Sequence, residues 1–128
     1  METKKRILIV EDDQFLREFY QELLEAEGFS IEAVADGETA AQKIYEGGFD
    51  LVLLDIMLPK KDGLQILQGN KANPSKLPNK AIVVLTNLGQ DAIIKTCFEL
   101  GASGYMVKSA LNPDQVLQEI RNFLSVAA

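Results

Sequence analysis

Histidine is absent from this 128-residue chain. That excludes every site built on the chain's own imidazole: a Ser-His-Asp triad, His-ligated zinc, or the usual histidine acid and base. Any histidine in its chemistry comes from a partner. There is a single cysteine, Cys97, so no internal disulfide can form and a reducing compartment is expected. Cys97 lies on a helical apolar stripe and reads as a small core residue. Long apolar runs are missing too. Ile7–Val10, Leu51–Leu54 and Ala81–Leu85 fall far short of the ~18–20 residues of a membrane span. The charged start, Met1 to Arg6, is followed by no h-region, so no signal peptide is expected and the chain is placed in the cytoplasm. Positive charge is scarce. Lys and Arg number 13 against 19 Asp and Glu, a formal charge of −6, which does not steer the chain toward DNA or an anionic membrane.

What is present is ordinary in amount, with 47% apolar and 25% charged residues over a length that fits one domain, residues 1–128. The information lies in the order. Ile7-Leu8-Ile9-Val10 is a continuous apolar run, as expected of a strand buried on both faces. An acidic break, Glu11-Asp12-Asp13, precedes a helical face marked by Phe15, Phe19 and Leu23, with Leu16 and Leu24 beside them, that stops at Gly28. Ser30–Val34 reads as a second strand, Asp36-Gly37 as a turn, and Glu38–Glu46 as a helix stopped by Gly47-Gly48. Leu51–Leu54 is a third strand ending at Asp55. A loop at Leu58–Gly63 and a helix over about Leu64–Lys71 follow, then a proline-bearing loop, Asn73–Asn79. Ala81–Leu85 is a fourth strand ending at Thr86. Ile93, Ile94, Cys97 and Phe98 mark a helix stopped by Gly101. Tyr105–Val107 is a short fifth strand ending at Lys108. Pro113 opens a last helix, with a face of Val116, Leu117, Ile120, Phe123 and Leu124, ending near Ser125.

The alternation predicts an α/β protein: a (βα)5 flavodoxin-like, doubly wound parallel sheet in strand order 2-1-3-4-5 with helices on both faces. In such sheets, sites form at the carboxyl ends of the strands. Those ends carry Glu11-Asp12-Asp13, Asp55, Thr86 and Lys108. The first and third strands are neighbours ~4.8 Å apart, so Asp55 faces the acids of the first. Crowded carboxylates raise a pKa or admit a cation, and hard oxygen ligands favour Mg²⁺. Lys108 starts ~10 Å away at the backbone, within reach of its long side chain. A carboxylate nucleophile, a divalent cation, an ammonium and a hydroxyl together suit phosphoryl transfer through an acyl phosphate. Taken singly, each has a plainer reading: Asp13 as the cap of the first helix, Glu11 and Asp12 as loop acids, Asp55 as a turn residue, Thr86 as structural and Lys108 as a surface charge.

The segments Ile7–Asp13, Asp50–Pro59, Asp62-Gly63-Leu64, Val84-Leu85-Thr86 and Gly101–Lys108 together resemble the receiver domain of two-component response regulators, CheY-like proteins, across essentially the whole chain. The resemblance implies that Asp55 is the phosphoacceptor. It would take its phosphoryl group from the phosphohistidine of a sensor histidine kinase or phosphotransfer protein. It implies Mg²⁺ held directly by Asp12 and Asp55, by Glu11 chiefly through water, and by the backbone carbonyl of Met57. Thr86 and Tyr105 would form a switch pair. Because Tyr105 and Lys108 are three residues apart on a strand, they point to opposite faces, which sends Tyr105 toward the surface of the fourth helix, fifth strand and fifth helix. That surface would change for a downstream output protein or domain. The resemblance implies a self-phosphorylating, self-dephosphorylating switch and not a turnover enzyme, binding neither nucleic acid nor membrane.

Some positions depart from the family pattern. Ser109 follows Lys108 where the family usually has a cis proline, and a cis bond before a non-proline residue costs ~2.5–4 kcal/mol. Asn87 stands where a small residue is usual, narrowing access to Asp55. Met57 and Leu88 are apolar where the family tunes hydrolysis, so slow loss of the phosphoryl group is expected. Asp13 adds a third acid, read as a cap. A haloacid-dehalogenase-like phosphatase would need an acid at Met57, and an FMN phosphate would be repelled by Glu11-Asp12-Asp13. The remaining alternative is a non-phosphorylated pseudo-receiver acting as a constitutive protein-interaction module.

Overall fold

The structure, a computed structural model, describes residues 4–87, 90–108 and 112–127. Ten elements alternate: β1 (Arg6–Val10), α1 (Gln14–Ala26), β2 (Ser30–Val34), α2 (Gly37–Glu46), β3 (Leu51–Asp55), α3 (Gly63–Ala72), β4 (Ile82–Thr86), α4 (Asp91–Glu99), β5 (Gly104–Val107) and α5 (Pro113–Ala127). The five strands form one sheet in the order β2-β1-β3-β4-β5. Every pairing is parallel, as the strand–helix alternation requires.

The apolar runs are continuous because both faces of the central strands are covered. Leu8 and Val10, Val52 and Leu54, and Ile82 and Val84 point to one side, where Ala40 and Ile44 of α2, Ile66 and Leu67 of α3 and Cys97 of α4 close over them. Ile7, Ile9, Leu51, Leu53, Val83 and Leu85 point to the other, beneath Tyr20 and Leu24 of α1 and Val116, Ile120 and Leu124 of α5. Cys97 is a buried core residue, as its stripe suggested. Truncating one such aliphatic side chain to alanine costs ~2–5 kcal/mol.

The first three helix starts are set by aspartates. Asp13 accepts from the Leu16 N–H at 3.0 Å, Asp36 from Thr39 at 2.9 Å, and Asp62 forms a capping box with Gln65. Asp13 is thus a cap, as expected.

Two expectations of the helical faces are corrected. Phe15 is 78% exposed, because the buried line of α1 runs through Tyr20 and Leu24 with Leu16, Phe19 and Leu23 flanking it. Phe98 is 44% exposed: Cys97 occupies the inward position of α4, and its neighbour in sequence turns away by one helical step. The last helix also continues to Ala127, past Ser125. Among the described residues, no helix is long and apolar enough to cross a membrane.

Candidate functional site

The carboxyl ends of β1, β3, β4 and β5 converge on one cleft of about 530 Å³, bounded by Asp12, Leu16, Asp55, Met57, Asn87 and Lys108. Parallel register brings them there. Val10 pairs with Leu54 and Asp55 with Leu85, so Glu11 and Asp55 emerge side by side and Thr86 follows on the next strand.

Asp55 is 2% exposed. Its Oδ1 accepts the Met57 backbone N–H at 3.1 Å, which fixes the carboxylate's rotation. Its Oδ2 lies 2.6 Å from Lys108 Nζ. The Lys108 backbone N–H donates to the Thr86 carbonyl at 2.9 Å, so the lysine leaves β5 while still tied to β4, and its side chain crosses that strand to reach β3. On its other side the ammonium is 2.8 Å from Glu11 Oε1, an ion pair in which that oxygen accepts no aligned hydrogen bond from the described residues. Glu11 itself is fully buried, and its Oε2 accepts the Asp13 N–H at 3.2 Å.

Asp12 is exposed, at the mouth. Glu11, Asp12 and Asp55 each offer a carboxylate oxygen within 4.8 Å of the others, the arrangement expected from neighbouring strand ends. Three carboxylates against one ammonium leave the cleft short of positive charge. Glu11 registers the deficit: burial first, then its contact with Asp55, push its carboxyl to about 7 against the opposing pull of Lys108. On Lys108, burial is the largest single influence and acts downward, but the Asp55 and Glu11 carboxylates together outweigh it and raise the ammonium's pKa. A buried carboxyl that resists ionisation beside two others is a strain that a divalent cation would relieve, and all three donors are hard oxygens. The cluster is therefore compatible with a divalent metal.

Thr86 is buried, and its hydroxyl has no hydrogen-bond partner among the described residues. An orphaned buried hydroxyl is uncommon and costs free energy until a partner arrives. Tyr105 lies apart from the cleft, 46% exposed on β5, with its ring edge-on to Phe98 of α4 at 6.4 Å between centroids and 88° between planes. β5 ends at Val107, so Lys108 lies just past the strand, its ammonium in the cleft while the Tyr105 ring meets Phe98 of α4. Met57 is exposed at the rim. The expectations for Leu88 and for the Lys108–Ser109 bond lie outside the described residues.

One contributor went unnoticed in the sequence. Arg17 Nη1 donates to the carbonyls of Glu11 at 3.0 Å and Asp12 at 3.2 Å, tying the acidic turn to α1. An arginine one turn into the helix, behind an acidic run, is a weak signal that an outward-facing charge would equally explain.

A 2-1-3-4-5 parallel sheet with this cluster at its carboxyl edge defines a CheY-like receiver. The model of the response regulator receiver domain family matches residues 7–121. The chain belongs to that family, a component of two-component signalling systems. It is 37% identical over 116 residues to the transcriptional regulatory protein DltR of Streptococcus agalactiae serotype III (strain NEM316), covering 91% of this chain and 50% of that protein. It is 36% identical over 108 residues to the transcriptional regulatory protein RprY of Bacteroides fragilis (strain YCH46), covering 84% of this chain and 44% of that protein. The chain thus spans about half the length of these curated relatives. Among solved structures, a CheY-like response regulator receiver domain protein from Methanospirillum hungatei JF-1 superposes with a TM-score of 0.83 at 28% identity, covering 98% of this chain and 97% of that one.

Proposed function

We propose that this chain is a phosphorylation-operated switch in which Asp55 accepts a phosphoryl group from the phosphohistidine of a sensor histidine kinase or phosphotransfer protein. The observation that carries the reading is the placement of Asp55, held at Oδ1 by the Met57 N–H and at Oδ2 by Lys108, beside the over-acidic pair Glu11 and Asp12. An Asp55 carboxylate oxygen attacks phosphorus, the phosphorus–nitrogen bond of the donor breaks, and the imidazole leaves with the bond's electrons to take up a proton. These 128 residues contain no histidine, so a phosphohistidine donor lies outside them.

Glu11, Asp12, Asp55 and the Met57 carbonyl would hold Mg²⁺, which when bound neutralises charge on the phosphoryl oxygens. Lys108 orients Asp55 and lies close enough to share its ammonium with an incoming phosphoryl oxygen. The Thr86 hydroxyl, without an acceptor among the described residues, gains one in that group. Its movement frees space at β4 for the Tyr105 ring, and the α4–β5–α5 face changes for an output protein or domain. The relatives named above are transcriptional regulatory proteins, which favours such an output. The chain itself would be a cytoplasmic switch and not a turnover enzyme, with protein partners and no direct contact with nucleic acid or membrane. Apolar Met57 at the rim cannot orient a hydrolytic water, so the acyl phosphate would be long-lived.

Incubation with acetyl phosphate and Mg²⁺ should add the mass of one phosphoryl group, and Asp55→Asn should add none. No mass gain in the wild-type chain would favour the pseudo-receiver reading, and a gain surviving in Asp55→Asn would place the acceptor elsewhere. Loss of the group within seconds at neutral pH would contradict the expected lifetime.

A further inference from the structure

Among the described residues, Lys60 is the one non-glycine residue with positive φ, at 69°. It sits in the loop between Asp55 and α3. A lysine adopts the left-handed region only where its surroundings over-determine the backbone, and such residues gather near working sites. Lys60 is exposed, so its own side chain does not hold the turn. The neighbouring contacts come from the start of α2. The Gly37 N–H donates to the Pro59 carbonyl at 3.3 Å, and the Lys61 N–H donates to the same oxygen at 2.8 Å. The Lys61 carbonyl fills the space where a side chain on Gly37 would begin: an ideal Cβ there would lie 1.6 Å from the oxygen and 2.5 Å from the carbon. This is a backbone-to-backbone approach that only glycine permits. Asp36, capping Thr39 at 2.9 Å, fixes the helix end against which the turn rests.

The other end of the loop is anchored as tightly. The Gly63 N–H donates to the Ile56 carbonyl at 2.8 Å, and a Cβ on Gly63 would lie 2.8 Å from the Asp55 carbonyl oxygen. Between the anchors lies Met57, whose N–H orients the Asp55 carboxylate.

We infer that Gly37 is a positioning residue of the phosphoacceptor site: it clamps the strained Pro59–Lys61 turn against α2 and through that turn sets the Met57 backbone beside Asp55. The kinetic side of this inference rests on the function proposed above. Its structural side does not, because the Met57 amide reports on the clamp in the metal-free, unphosphorylated protein.

The test compares Gly37→Ala, Lys60→Val and Lys60→Gly with Gln42→Gly, which weakens an exposed position of α2 without touching the loop. A β-branched residue opposes the left-handed turn and glycine accepts it, while both remove the same charge, so Val against Gly at position 60 isolates backbone strain. Gly37→Ala and Lys60→Val should speed hydrogen exchange at the Met57 amide and move its NMR signal. They should slow phosphorylation by acetyl phosphate at saturating Mg²⁺ by about 10- to 100-fold, the scale of an ångström-sized misplacement. Lys60→Gly and Gln42→Gly should match the wild type in both readouts. Should Gly37→Ala fail to fold, the two substitutions at Lys60 still decide. An unmoved Met57 amide and an unchanged rate in Lys60→Val overturn the inference, as does an equal slowing in Gln42→Gly. A wild-type chain that takes no phosphoryl group refutes the proposed function instead, and the amide measurements still judge the clamp.

Discussion

The Lys108 ammonium closes on the Asp55 carboxylate at 2.6 Å although β5 and β3 are not neighbours and β4 runs between them. The contact places one positive charge between two buried acids, Asp55 and Glu11. Lys108→Met keeps much of the stem and removes the charge. Phosphorylation of Asp55 by acetyl phosphate should then fall about 10²-fold or more, the usual cost of removing one stabilising donor. Stripping a buried pair of its counter-charge also costs ~3–5 kcal/mol. Thermal melts of Lys108→Met should therefore show a lower midpoint in chelator, largely recovered by Mg²⁺. A variant that phosphorylates at the wild-type rate would remove Lys108 from the site.

Glu11 predicts a pH dependence with a definite sign. Its carboxyl titrates at about 7 in the folded chain against an ordinary 4.5, chiefly because it is buried. Between those values the folded state keeps a proton that the unfolded chain has released. Glu11 therefore favours folding fully below the ordinary value, and this contribution is lost as pH rises toward the folded one, a change on the order of 3 kcal/mol. Glu32, held low first by Lys43 and also by Arg6, gives the opposite slope in acid, so the comparison must be made with a variant of Glu11. In chelator, Glu11→Gln should gain stability relative to wild type as pH rises from about 5 to about 8. A constant difference across that range would mean that Glu11 ionises normally.

Much of this was legible in the chain, for physical reasons that can be traced. Continuous apolar runs and the strand–helix alternation pointed to the parallel sheet, its order came from the flavodoxin-like pattern, and each run ended on the polar residue that the sheet delivers to the cleft. Asp13 was readable as a cap because capping is local. What escaped notice depends on tertiary placement. Phe15 and Phe98 fit a helical stripe by spacing, yet the stripe's centre falls on Tyr20, Leu24 and Cys97. The contact of Lys108 with Glu11 joins residues far apart in sequence, and no local pattern announces it. The turn at Lys60 lacks the glycine or asparagine that normally marks positive φ, because its geometry is imposed by Gly37 from another element.

Thr86 offers a case where loss of function and gain of stability should coincide. Its hydroxyl is buried without a partner among the described residues. Thr86→Val replaces it with a methyl group of similar shape and removes a desolvation cost of ~1–3 kcal/mol. The melting midpoint should rise by roughly 4 °C for each kcal/mol recovered. The same variant should still gain the phosphoryl mass, while its Tyr105 ring signals no longer move on phosphorylation. A destabilised Thr86→Val would show that the hydroxyl already has a partner in solution.

Phe98 and Tyr105 meet edge-to-face with both rings partly exposed. Such a pair is worth ~0.5–1.5 kcal/mol beyond the area it buries. If Tyr105 moves as proposed, that energy would favour its outward position, and Phe98 would act as a restraint on it. Phe98→Leu keeps an apolar side chain on α4 but removes the ring quadrupole. Without any phosphoryl group, the inward population of Tyr105 should then rise about 2- to 10-fold. Its ring resonances should lie part of the way toward their phosphorylated positions, and less acetyl phosphate should be needed to complete the shift. Unphosphorylated Phe98→Leu with wild-type Tyr105 signals would show that the outward position owes nothing to the aromatic contact and is set by the packing around Thr86 alone.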